Sequence, residues 1–229
     1  MMNASAAILK KLKARGSTKN IEGMARFGIA TERRLGVSVP EMRRIAREAG
    51  TDHALAISLW NSGIPEARIV ASMIADPRRM TAAEMDRWAS GFDSWDVCDQ
   101  VCMNLFEKTP HARRKIRQWA RREEEYVKRA AYALLACLAW HDKDSPDSLF
   151  TGFLTIIKRG ATDERNFVKK AVNWALRNIG KRNPRLNRGA LRTAKEISRL
   201  DSKSARWVAA DATRELTSAA VQRRIRRIP

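Results

Sequence analysis

The sequence predicts an all-α fold, an α-α superhelix of stacked helix pairs. Three observations carry that expectation. Nearly every segment of the 229 residues spaces its apolar side chains at helical period, and no stretch alternates as a strand would. Glycine and proline punctuate these segments, leaving short loops. Tyr126-Val127-Lys128-Arg129-Ala130 recurs as Phe167-Val168-Lys169-Lys170-Ala171, an offset of 41 residues, with a weaker echo at Arg206-Trp207-Val208-Ala209. A period of about 40 is that of two-helix HEAT or armadillo units. Such units stack into a curved solenoid with a long concave face.

Taken in order, residues 6–12 form a first helix that ends near Gly16, and 21–27 a short second one. The segment 35–40 breaks the pattern. Pro40 suits a helix start, where its missing N–H is not needed, so 41–49 follows. Gly50 closes that helix as a C-cap. Helices over 52–60, 65–74, 82–89, 94–106 and 111–122 come next, with Gly63 and Pro65 as punctuation. Residues 124–140, 145–158, 163–179, 191–199 and 202–216 complete the series. A single domain over 1–222 is expected, followed by a basic tail, 223–229, that should fray.

Lys plus Arg total 45 against 25 Asp plus Glu, a formal charge of +20, while 44% of residues are hydrophobic. The apolar share means a folded chain. The charge excess predicts a polyanionic partner, most simply nucleic acid held through its phosphates. The bland alternative is a generally basic surface. On a solenoid, such charge would give a basic concave groove suited to duplex DNA. An odd number of cysteines argues against a disulfide framework, and Cys98, Cys102 and Cys137 read as small buried thiols. His53, His111 and His141 lack metal-ligand spacing, and His141-Asp142-Lys143-Asp144 reads as a polar loop. There is no P-loop, dinucleotide fingerprint or nucleophile elbow. No metal and no cofactor are therefore expected. No apolar run is long enough to span a membrane, and residues 1–13 lack a leader pattern, so a cytoplasmic protein without a membrane partner is expected.

The chain is organised around 91–102, a short loop opening a helix. Asp93 or Ser94 is expected to cap the first turn. Cys98, Val101, Cys102 and Leu105 form the core stripe. Trp95 and Asp99 are neighbours four residues apart at its edge, and Asp96 points away toward the helix N-terminus. In 163–179 the stripe is Val168, Ala171, Val172, Ala175 and Ile179. Trp174 lies off it between Lys170 and Arg177, placed either to touch a nucleic-acid sugar or base or to pack on the next repeat. In 124–140 the stripe is Val127, Ala130, Ala131, Leu134 and Leu138. Arg129 stands opposite, in the direction of Lys170; both can meet phosphates or simply be solvated. Trp60, Trp88, Trp140 and Trp207 read as core.

These residues also carry a resemblance. The segments 24–29 and 35–43, Leu59-Trp60 with Glu66-Ala67-Arg68, Ser94-Trp95-Asp96-Val97-Cys98-Asp99, Val127-Lys128-Arg129-Ala130 and Lys170-Ala171-Val172-Asn173-Trp174-Ala175-Leu176-Arg177 resemble the AlkD-like DNA alkylation repair proteins. Those are HEAT-like-repeat DNA glycosylases. The resemblance implies hydrolysis of the N-glycosidic bond of cationic alkylpurines, of the N3-methyladenine or N7-methylguanine type, in duplex DNA. It implies no metal, and a monomer is expected. By its motifs the catalytic carboxylate falls on Asp99, the two lesion-lining tryptophans on Trp95 and Trp174, and the supporting arginine on Arg129. Lys170 and Arg177 are expected on DNA phosphates, and Phe27 is the candidate for a further DNA-contacting aromatic. The alternatives are a non-catalytic HEAT-like module that binds nucleic acid and a scaffold for an acidic protein.

Overall fold

The computed structural model describes residues 4–227; residues 1–3, part of the segment read for a leader, and 228–229 of the basic tail lie outside the described residues. Among the described residues there are fourteen α-helices and no strand. Contacts divide the chain into two compact units, Met1–Ala112 and Arg113–Pro229.

The first unit contains α1 (Ala4–Ala14), α2 (Thr18–Ala25), α3 (Val39–Ala49), α4 (His53–Asn61), α5 (Pro65–Ile74), α6 (Ala82–Ser90) and α7 (Trp95–Asn104). Local chemistry sets these boundaries. Asp52 accepts from the Leu55 N–H at 2.9 Å to start α4. Thr81 and Glu84 form a reciprocal capping box at α6. Gly50 ends α3 in a positive-φ conformation, φ 69°. Helix α5 is the centre, buried along nearly its whole length and packed on α3, α4 and α7. Trp60 and Trp88 are buried and stack 4.1 Å apart and nearly parallel. The stretch expected as helix to residue 106 stops earlier: α7 ends at Asn104, and a 3-10 turn, Phe106–Lys108, follows.

The second unit opens with α8 (Ala112–Trp119) and continues through α9 (Glu125–His141), α10 (Asp147–Gly160), α11 (Asn166–Gly180), α12 (Pro184–Ile197), α13 (Lys203–Leu216) and α14 (Ala219–Arg226). Helices α9, α11 and α13 form one row, α11 packing on both others, and α10 and α12 form a second row. This layering is that of HEAT-like repeats. The 41-residue echo is physical, since its members Tyr126 and Phe167 stack, centroids 5.8 Å apart. Polar bonds join the same row: Asn178 donates to the Ala136 carbonyl at 3.0 Å, and Asn173 to Asp211 at 2.6 Å.

Several expectations need correction. Helix α12 starts well before residue 191, because Asn183 accepts from the Leu186 N–H at 2.8 Å and Pro184 sits at the first turn. The basic segment does not fray within the described residues: α14 runs to Arg226 and buries Val221 and Ile225. Trp140 and Trp207 are not core, being 48% and 40% exposed. The three cysteines are free and buried, as expected.

Candidate nucleic-acid interface

In the first unit, α7 carries Trp95 and Asp99, both half-buried, while Val97, Cys98, Val101 and Cys102 are buried beneath them. The helix start differs from expectation. Ser94 is the N-cap residue, but its side chain does not cap the helix. Its hydroxyl donates to Asp96 at 2.7 Å and accepts from the Ala30 N–H at 3.4 Å. Asp93 is exposed, 3.8 Å from Arg68. Asp96 stands in the first turn of α7, as expected, and is held there by more than the helix terminus. It accepts a two-bond fork from Arg34, at 2.7 and 2.6 Å, and the Arg34 side chain is buried.

That fork ties α7 to the loop 26–38. The loop turns at Gly28 and Gly36, both at positive φ. Phe27 projects from it, 73% exposed, and its carbonyl accepts from the Trp95 indole N–H at 3.1 Å. The loop is held at its other end by Glu66 of α5, which is fully buried and accepts from the Leu35 and Gly36 N–H groups at 3.1 and 2.8 Å. The first unit therefore brings together Phe27, Trp95 and Asp99 around one anchored loop and helix.

In the second unit the expected residues have different environments. Arg129 is buried rather than solvated, and donates to the Phe167 carbonyl at 2.6 Å. Helix α9 is buried nearly all round, so the direction opposite its stripe is also covered. Lys170 is exposed on α11. Arg177 is half-buried and pairs with Glu215, with Asp211 3.7 Å away. Glu215 also accepts from Lys181 at 2.8 Å. Burial pushes its carboxyl up, but Lys181 and Arg177 outweigh that and hold it below the usual range. Arg177 is thus ion-paired within the fold, sharing Glu215 with Lys181.

Trp174 is half-buried and lines a cavity of about 260 Å³. Lys143, Lys181, Arg182 and Arg224 line that cavity with it, and Trp140 is a second indole there. Arg182 is fixed: it stacks 3.9 Å from the Phe150 ring centroid and donates to the Ala139 and Asp142 carbonyls at 3.0 and 2.5 Å. Those bonds cap the C-terminal end of α9. Partial desolvation first, then the Arg182 and Arg224 charges, hold the Lys143 ammonium below its ordinary value. Sequence reading missed this cavity, yet a signal existed. Trp140 and Lys181 stand 41 residues apart, the repeat offset, and both lie at a helix C-terminal end, Trp140 in the last turn of α9 and Lys181 as the C-cap of α11.

The fold and these residues define an all-α repeat protein with two exposed aromatic-bearing surfaces on a strongly basic chain. The family of DNA alkylation repair enzymes matches over residues 8–216, and the chain belongs to that family. No curated protein matches it in sequence. A solved structure described as "A new family of proteins related to the HEAT-like repeat DNA glycosylases with affinity for branched DNA structures" is similar, at 21% identity and TM-score 0.73, covering 91% of this chain and 94% of that one. At that identity the likeness speaks to the fold alone. An engineered protein is 14% identical with TM-score 0.43, covering 94% of this chain and 99% of that one. A designed armadillo repeat protein is 14% identical with TM-score 0.38, covering 93% of each chain. Scores that low carry no argument.

Proposed function

We propose that the protein is a metal-independent DNA glycosylase that releases cationic alkylpurines from duplex DNA. One observation carries the reading: Trp95 and Asp99 stand one turn apart on a half-exposed face whose helix start is locked by Arg34 and whose ring is tied to the Phe27 carbonyl. Membership of the DNA alkylation repair enzyme family supports it.

Alkylation at N3 of adenine or N7 of guanine makes the base a cation and a good leaving group. The C1′–N bond breaks with its electron pair going to the purine, and the sugar acquires oxocarbenium-like charge. The Asp99 carboxylate stabilises that charge and accepts a hydrogen bond from the attacking water, orienting it toward C1′. Indole faces favour positive charge, which suits Trp95, one turn from Asp99, to the sugar, and Trp174 of the second unit is an aromatic contact for the DNA. Phe27 is an exposed contact for the DNA surface, and Lys170 is a phosphate contact. Arg129, being buried, acts through its field and by holding α9 to α11.

The test is base release from duplex DNA carrying N7-methylguanine by the wild type and by Asp99→Asn. Release by the wild type with loss of at least about a hundredfold in the variant supports the assignment. Equal release by both removes Asp99 from the chemistry. A second reading, a non-catalytic DNA-binding module, draws on the similar protein described as having affinity for branched DNA. Salt-dependent binding without any release would favour it.

A further inference from the structure

The Trp140–Trp174 cavity is not used by the chemistry above, apart from the Trp174 ring. It is lined by two indoles and four cationic side chains drawn from α9, α11, α14 and the loops after α9 and α11. Arg224 comes from the basic segment, whose charge the Asp99 site does not need. We propose that this cavity binds one unpaired nucleotide of a DNA strand, its base against Trp140 and its phosphate between Lys143 and Arg224.

The chemistry of the lining selects that ligand. Trp140 is 48% exposed, and one face is covered by the stacked His141 ring, 4.7 Å away. An indole held flat by its neighbour and still open to solvent is a stacking platform for a base. Lys181 and Arg182 are occupied by Glu215 and by main-chain carbonyls, so they shape the wall. Lys143 donates one hydrogen bond to the Trp140 carbonyl, which holds it beside that ring, and both it and Arg224 are exposed, so the remaining N–H groups of Lys143 and the Arg224 guanidinium are open to an anion. Lys143 is held below its ordinary value in part by Arg224 and Arg182, the sign of positive charge in excess of nearby acid. A phosphate relieves that repulsion. The volume, about 260 Å³, is of the order of one nucleotide. This inference rests on the DNA-binding part of the proposed function and not on its catalysis.

The test compares the affinity of the full chain for a blunt duplex and for the same duplex bearing an unpaired single-stranded arm, by fluorescence anisotropy at fixed salt. The wild type should prefer the armed duplex by about tenfold. Trp140→Ala should bring that preference to near unity while leaving blunt-duplex affinity unchanged. Arg224→Gln should lower the salt slope by about one on the armed duplex only. Trp140 and Arg224 are exposed, and unchanged thermal melts would document intact folding. Absence of a wild-type preference, or a full preference in Trp140→Ala, would overturn the inference. So would competition by free deoxynucleoside monophosphate at the same nucleotide concentration, since the cavity would then serve a small ligand. Base release from alkylated duplex, measured alongside, separates the two proposals. Lost release with intact preference sinks only the glycosylase, and intact release without preference sinks only the cavity.

Discussion

Arg34 and Asp96 are joined by two hydrogen bonds, 2.7 and 2.6 Å, across 62 residues of sequence. Neither is proposed to touch DNA. The pair instead fixes the start of α7 against the loop that carries Phe27. Removing one partner of a buried ion pair strands the other charge, which costs about 3–5 kcal/mol. Asp96→Ala is therefore expected to lower stability by that order, read in a urea titration, and to reduce base release although Asp99 is untouched. An unchanged midpoint would mean the fork is dispensable.

Gly36 has φ 76°, and a Cβ there would lie 2.1 Å from the Ser17 carbonyl oxygen. Its N–H is also held by Glu66. Gly36→Ala is expected to destabilise the first unit by about 1–3 kcal/mol through strain and overpacking. Calorimetry would measure it; a shift within error would show that the loop relaxes freely.

Gly160 of α10 faces Tyr132 of α9, and an added Cβ would come within 2.0 Å of the phenol oxygen. Tyr132 is buried and cannot step aside, and burial pushes its phenol well above the ordinary range. Gly160→Ala should thus cost about 1–3 kcal/mol. The double variant Gly160→Ala with Tyr132→Phe should recover part of the loss, and no recovery would relocate the clash.

Lys170 and Arg177 are expected to behave differently despite their spacing. Lys170→Gln should reduce the salt slope of DNA binding by about one. Arg177→Gln should leave the slope nearly unchanged and lower stability, because it leaves Glu215 with less compensation. Equal slopes for both variants and the wild type would remove Lys170 from the phosphate contacts.

Acid should weaken the second unit. Burial raises Asp163, but hydrogen bonds from Arg165 and Lys128 outweigh it and lower the group from 3.8. Glu215 is likewise lowered from 4.5. Folded values below unfolded ones mean that both contribute stability in full above the unfolded values. That contribution is lost as pH falls through the lowered folded values. Melting temperatures should hold down to about pH 5 and fall below about pH 4. A flat profile would contradict the pairing.

Much of the fold was legible because its signals are local. Pro65 and the apolar period set α5 at the expected 65–74, and every expected core-stripe residue of α7, α9 and α11 lies in or beside a buried helix face. What was hidden depends on distant partners. The sequence period of α9 cannot tell that α11 covers Arg129, nor that Glu215 lies 38 residues beyond Arg177 to quench it. Trp207 repeats an apolar pattern, but α13 ends its row among the described residues, and the ring, left 40% exposed, has the Lys169 ammonium 5.3 Å from its centroid. Asp99 and Trp95 were found by spacing and motif, while the fork that fixes their helix joins two segments with no pattern in common.

The stacked Trp60–Trp88 pair also gives the first unit an optical signature. Two nearly parallel indoles 4.1 Å apart couple their excited states, and that coupling is lost when the rings separate. Loss of that coupling on heating can therefore report the melting of the first unit without labels.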